Sequence, residues 1–196
     1  MLVGFLVHAG NKPMYKKVDN VFGNYYLNYL LDKIEAPGQF PWFFYANTQT
    51  GVVPSEFKNS GFRHTLIFDG INQSAWTNLF LPIAWKVSEI ISKPIISIDG
   101  LHVNMIFNHN IEHVGEPHLD VPISENKDHS QYTAIYYMDD TNGCTTLYDD
   151  KGFPFFKNPS TADSLLIFSA NIEHSGGLPT DVPIRRVVNI NITCPR

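Results

Sequence analysis

Pro183-Ile184-Arg185-Arg186-Val187-Val188-Asn189-Ile190-Asn191-Ile192 is the stretch on which the reading of this chain turns. Its β-branched content and strict alternation predict a strand with two different faces. Arg186, Val188, Ile190 and Ile192 share one face, apolar enough to pack under helices, with Arg186 at its solvent end. Arg185, Val187, Asn189 and Asn191 share the other. Assigned to a barrel interior, that second face buries a polar stripe, and buried polar groups need partners. A dicarboxylate is such a partner, because an Arg offers its planar fork to a carboxylate, and Arg185 rather than Arg186 is placed to bind it.

Outward from this strand, the chain after Pro94 is a series of short β-branched or aromatic runs between turn residues. These are Ile95–Ile98, Leu101–Phe107, Thr133–Met138, Thr145–Tyr148 and Leu165–Phe168. Many short strands predict a sandwich or barrel. Before Pro94 the pattern is mixed. Asp19 or Asn20 can cap a helix to about Ile34, with Phe22, Tyr26, Leu30 and Ile34 along one face. A second helical pattern over Ser74 to Ser92 places Leu79, Ile83, Val87 and Ile90 or Ile91 together, with Pro82 expected to bend or interrupt it. Phe40–Tyr45, Phe62–Phe68 and the apolar Met1–Val7 read as strands. The expectation is one domain over residues 1–196, mainly β with supporting helices. Residues 1–94 supply the helical layer and residues 95–193 the β core.

Composition narrows the function classes. Of 196 residues, 43% are hydrophobic and 17% charged, as in a globular protein. The formal net charge is −5, and the pairs Lys16-Lys17 and Arg185-Arg186 are the longest basic runs. That charge does not suit a protein that holds nucleic acid by its phosphates. Met1–Val7 lacks a preceding basic region and is too short for a membrane span, so neither a membrane nor a secretory role is expected. Cys144 and Cys194 make no Cys-x-x-Cys pair and no disulfide framework, which fits buried, inert thiols in a reducing, cytoplasmic compartment.

His118-Leu119-Asp120 carries the chemistry. On a strand, residues two apart point to the same side, so an imidazole and a carboxylate converge. A third ligand is available at His174, in Ile172-Glu173-His174-Ser175-Gly176-Gly177. Two His and one carboxylate on one face of an ion form the facial triad of non-haem iron(II) oxygenases, which leaves coordination positions open for reactants.

The ordered set around this triad resembles the prolyl-4-hydroxylase-like branch of the 2-oxoglutarate/iron(II)-dependent oxygenase superfamily, including small phage-encoded members. Its marks are Pro117-His118-Leu119-Asp120, Tyr132-Thr133-Ala134-Ile135-Tyr136-Tyr137-Met138, Asn142-Gly143-Cys144-Thr145-Thr146, Ser164-Leu165-Leu166-Ile167-Phe168, His174 and the Arg185 strand. The resemblance covers roughly residues 95–193. It implies a double-stranded β-helix, a jelly-roll or cupin-like barrel with the metal inside. It further implies iron(II) as the metal, with 2-oxoglutarate and dioxygen as cosubstrates, and location in the cytoplasm, the host's where the source is viral. By position, His118, Asp120 and His174 match the metal ligands, Arg185 the residue for the distal carboxylate, and Tyr137 a cosubstrate tyrosine.

Asn104 and Asn108, on the strand before the triad with His102 in phase, can reach the cosubstrate, as can Asn189. Thr146, His113 and Asn191 are candidates for the substrate pocket. Cys144 departs from the family, which usually has a second glycine there. His109 and His129 read as solvated loop residues, as does His113 apart from its place near the barrel mouth.

The implied activity is hydroxylation of a peptide or small molecule, possible at a prolyl residue, coupled to decarboxylation of 2-oxoglutarate to succinate and CO2. Asp120, in place of a small residue that would admit a halide, favours hydroxylation over halogenation. Two other functions suit the same residues: a cupin-type metalloprotein that does not use 2-oxoglutarate, and a non-enzymatic barrel binding module.

Overall fold

A computed structural model describes residues 14–45, 60–110, 112 and 114–196. In chain order the elements are β1 (Tyr15–Val18), α1 (Asn24–Glu35), β2 (Phe43–Tyr45), β3 (Gly61–Phe68), β4 (Ile71–Asn72) and α2 (Thr77–Ile91). There follow β5 (Ser97–Phe107), β6 (His129–Tyr137), β7 (Thr141–Tyr148), β8 (Pro154–Ser160), β9 (Ser164–Ser169), β10 (His174–Gly176) and β11 (Ile184–Pro195). The strand expected at Met1–Val7 lies outside the described residues, as does His113.

The strands form two antiparallel sheets. The larger runs β1-β9-β6-β11-β5-β3-β2, with β4 added to β3, and the smaller runs β10-β7-β8. β11 is central, pairing with β5 on one side and β6 on the other. Its alternation sorts the core as the sequence requires. Val188, Ile190 and Ile192 join Leu101, Val103 and Tyr136 against the helices, which contribute Leu30, Ile34, Phe80, Ile83 and Val87. On the opposite face, Val187 joins Ile135, Tyr137, Leu166 and Phe168, which meet Leu147 of the smaller sheet. The structure is therefore a mainly β barrel of two facing sheets, covered on one outer face by helices.

Both helices differ from expectation at their starts. α1 begins at Asn24, after Gly23 at φ 80°, and not from a cap at Asp19 or Asn20. No side chain caps the helix itself; the turn that leads into it is held from a distance, the Asp163 carboxylate accepting from the Phe22 and Gly23 backbone N–H groups, the latter at 2.7 Å, and from the Tyr136 hydroxyl. α2 runs unbroken through Pro82. Burial of Phe80, Ile83, Ala84 and Val87 on the core offsets the roughly 3 kcal/mol that an interior proline costs. Leu79 sits half-buried at the flank of that face.

Among the strands, Ile95–Ile98 and Leu101–Phe107 fuse into the single β5, with a bulge where β11 passes from Asn191 to Ile192. Both sulfurs belong to free, buried cysteines. Among the described residues, no helix is long and apolar enough to cross a membrane.

Candidate metal centre and anion pocket

His118 and His174 are tied by the backbone before their side chains meet. Each donates its N–H to the other's carbonyl, at 3.0 Å both ways, which extends the smaller sheet by residues 114–118 beside β10. The stretch His118-Leu119-Asp120 is not a regular strand: His118 makes this one paired step, and Asp120 lies in the bend that follows. The convergence expected of the pair survives because exposed Leu119 turns outward while its neighbours turn in.

The three side chains close on one another. Asp120 Oδ1 is 3.6 Å from His118 Nε2, and Asp120 Oδ2 is 3.5 Å from His174 Nε2. One ligand atom from each residue lies within 4.8 Å of the others, and the group could hold a metal ion. The His118 Nδ1–H donates to the Glu116 carbonyl at 2.9 Å, which leaves Nε2 as the free lone pair facing Asp120. Phe168 stands edge-on to His174 at 4.9 Å and fixes its ring. Burial alone would push the Asp120 carboxyl up, but the His174 charge and the close approach of both imidazoles hold it well below the ordinary range. It is a carboxylate at neutral pH. Its Oδ2 is buried with no hydrogen-bond partner among the described residues.

The triad lines one pocket with Arg63, Asn104, Asn189 and Arg185 on the larger sheet and Thr145 on the smaller. Arg185 is 2% exposed. Its guanidinium lies 5.6 Å from the centre of the Tyr137 ring, and one Nη donates to Thr145 Oγ1 at 3.3 Å. The Tyr137 hydroxyl donates to the same oxygen at 2.8 Å. Arg185 Nε has no hydrogen-bond partner among the described residues. Burial pushes this guanidinium below its ordinary value, against the opposing pull of Tyr137, Cys144 and Asp139. Gly143 lets the side chain pass: a Cβ there would lie 2.7 Å from Arg185 Cδ and 3.1 Å from the Pro179 backbone nitrogen.

Arg186 points the other way. It is bonded to Asp139 through Nε and Nη2 and to Glu35 through Nη1, and at 8% exposure it is a buried ion pair, not the solvent end of a strand.

The remaining candidates divide. Asn104 and Asn189 line the pocket, and Asn104 Oδ1 accepts from Arg63 Nε at 2.8 Å. Asn191 lies deeper, accepting from Thr133 and packed on Gly100, away from the pocket. Thr146 is buried on the face of β7 opposite Thr145, its hydroxyl 3.8 Å from the Cys144 sulfur, so Thr145 takes the pocket position. Asn108 falls beyond the end of β5 and accepts from the Asn110 N–H in a turn.

His109 is in a loop but touches Ser60, and His129 opens β6 beside Asn126 instead of lying in a loop. His102 is half-buried below Asn104, its Nδ1 3.3 Å from Thr65 Oγ1. Burial and the Arg63 charge lower its pKa to about 4, against the pull of Asp120.

Sequence reading missed Arg63, which reaches the pocket from β3 and stacks on the Tyr45 ring at 5.2 Å. Its alternation with buried His64 was the available signal.

No family model matches the chain, and no curated protein matches it by sequence. Solved structures do match. A prolyl hydroxylase of Trichoplax adhaerens, in complex with a peptide from the oxygen degradation domain of hypoxia inducible factor, aligns with a TM-score of 0.65 at 16% identity. It covers 93% of this chain and 84% of that one. A 2-oxoglutarate-Fe(II) oxygenase family oxidoreductase of Burkholderia pseudomallei aligns at 0.65 and 9% identity, over 92% and 85%. The viral collagen prolyl hydroxylase of Paramecium Bursaria Chlorella virus-1 aligns at 0.56 and 12%, over 93% and 96%. The chain has the double-stranded β-helix fold of these oxygenases, the prolyl hydroxylases among them.

Proposed function

We propose that this chain is an iron(II)- and 2-oxoglutarate-dependent dioxygenase that hydroxylates its substrate. One observation carries the reading: a single pocket holds a histidine-carboxylate-histidine set at one side and, at the other, a buried arginine without an ion pair among the described residues. The donor set fits the metal. Two imidazoles and a carboxylate suit iron(II), and a cation there would satisfy the orphaned Asp120 Oδ2. Iron(II) and 2-oxoglutarate, when bound, supply the oxidation of a substrate C–H bond by dioxygen, with 2-oxoglutarate converted to succinate and CO2.

The protein supplies the rest. His118, Asp120 and His174 would hold the metal, with the Glu116 carbonyl keeping His118 in the tautomer that presents Nε2. Arg185 would anchor the distal carboxylate of 2-oxoglutarate and thereby orient its oxo-acid end towards the triad. Tyr137 keeps Arg185 in place through the ring face beneath it and through the shared Thr145 oxygen. Ile106, Ile135 and Val187 give the same pocket an apolar wall. A cupin-type metal site that dispenses with 2-oxoglutarate would leave the buried Arg185 charge without a purpose, and a non-enzymatic barrel would have no use for either feature.

The substrate we propose is a peptide or a small molecule, and a proline within an extended peptide is the first probe, given the peptide bound by the Trichoplax adhaerens enzyme. The test is direct. The protein with iron(II), 2-oxoglutarate and oxygen is expected to form succinate even without a substrate; no succinate above a protein-free control would count against an enzyme.

A further inference from the structure

We infer that Asn158 is a binding residue of the same pocket: its side-chain amide completes, with Arg185 and Thr145, the cage that receives the distal carboxylate of 2-oxoglutarate. The inference rests on the function proposed above and extends it to a residue on the smaller sheet.

β8 is the edge strand of that sheet, and its alternation fixes which side chains face inward. Phe156 packs on the interior cluster, and Asn158 and Ser160 are buried in phase with it, while Lys157 and Pro159 face solvent. Asn158 lies directly opposite Thr145 in the β7–β8 register. It is 1% exposed, yet among the described residues neither its Nδ2 nor its Oδ1 has a partner in hydrogen-bond geometry, although the amide stands close enough to the Tyr137 phenol to act on its ionisation. Burying a primary amide unpaired is unfavourable, and an apolar residue of similar volume would avoid the penalty. The penalty is relieved if a ligand arrives.

The neighbouring groups say what kind of ligand. Thr145 Oγ1 already accepts from the Tyr137 hydroxyl and from Arg185, so its own proton is left to donate. Burial pushes the Tyr137 phenol up, with Arg185, Thr145 and Asn158 acting against it, so the phenol keeps the proton it gives to Thr145. Arg185 Nε is unpaired. The Arg185 fork and the Thr145 hydroxyl are thus donors lining the pocket, and the Asn158 amide lies across the β7–β8 pair from Thr145. Among the described residues, the Arg185 guanidinium meets the neutral Thr145 hydroxyl and no carboxylate within bonding distance. An ionised carboxylate accepts at about four sites and matches this set.

The experiment uses the full chain loaded with Mn(II), with 2-oxoglutarate titrated by calorimetry and ligand-free melting measured first. Asn158→Leu removes the unpaired amide at similar volume. It is expected to melt at or above the wild-type temperature while binding 2-oxoglutarate on the order of tenfold to a hundredfold more weakly. Asn158→Asp places a carboxylate beside Arg185. It is expected to raise ligand-free melting and to weaken 2-oxoglutarate by about a hundredfold or more, with Mn(II) affinity within about twofold in both variants.

If the wild type binds 2-oxoglutarate and either folded variant binds it within about twofold of wild type, Asn158 is not part of the cage. Lower melting with unchanged 2-oxoglutarate affinity would likewise overturn the inference, marking Asn158 as a structural residue. A metal-loaded wild type that does not bind 2-oxoglutarate overturns the proposed function, and this inference with it.

Discussion

Arg185 and Arg186 are adjacent in the chain, both buried, and opposite in their electrostatics. Arg186 faces the helices and meets two carboxylates, Asp139 and Glu35, with the Asp139 Oδ2 also accepting from its backbone N–H at 2.6 Å. Burial alone would lower its pKa, but these partners carry it above the ordinary arginine value. Arg185 faces the interior, has one neutral acceptor at 3.3 Å, and ends below that value. A charge taken out of water with its counter-charges in place is part of the fold. One taken out of water without them fits the anion site proposed for Arg185. One strand supports both because its side chains alternate between a face closed by helices and a face that lines a pocket.

Three substitutions sharpen this contrast. The largest effect is expected at Arg186→Met, which leaves Asp139 buried without its cation. Chemical denaturation should show a loss of about 3–5 kcal/mol, with 2-oxoglutarate affinity unchanged in the protein that remains folded. Arg185→Met should do the reverse. Ligand-free stability is expected to hold or to rise, because no carboxylate is abandoned. 2-Oxoglutarate binding is expected to weaken on the order of a hundredfold, with metal affinity retained. Equal losses of stability at the two positions would erase the distinction between them.

The smallest effect concerns His102, another interior group desolvated near a cation. Its folded pKa of about 4 lies below the ordinary 6.5, so the unfolded chain takes up a proton first as the pH falls. The associated stability is complete above pH 6.5 and is lost between 6.5 and 4. His102→Gln should therefore lose less stability than wild type between pH 7 and pH 5 in paired denaturation curves; parallel losses would show that His102 is not desolvated in the fold.

How far the sequence carried depends on whether a feature is local. The two faces of β11 were legible because period-two alternation is written in consecutive residues, and it separated Arg185 from Arg186 before any coordinates. The convergence of His118 and Asp120 was legible for the same reason, although the regular strand assumed for it proved to be one paired step and a bend. Thr145 was not distinguished from Thr146 because the phase of β7 is set by its partners, with register shifts on both sides of the pair. Asn158 was invisible because Pro154 and Pro159 disguise β8, and only its position at a sheet edge makes prolines tolerable there. The start of α1 was misplaced because the turn leading into it is held by Asp163, 140 residues away, and not by a local cap. The alternation of Arg63 with His64 shows that the two face opposite ways, but that Arg63 faces the pocket follows only from the pairing of β3 with β5.

The central claim is that His118, Asp120 and His174 hold iron(II) in the same pocket in which Arg185 receives 2-oxoglutarate. Anaerobic titration of the iron(II) protein with 2-oxoglutarate, followed by visible absorption, tests it most directly. The expected result is a metal-to-ligand charge-transfer band that saturates in the wild type and is absent in His174→Ala. No band in the iron-loaded wild type, or an undiminished band in His174→Ala, would contradict it.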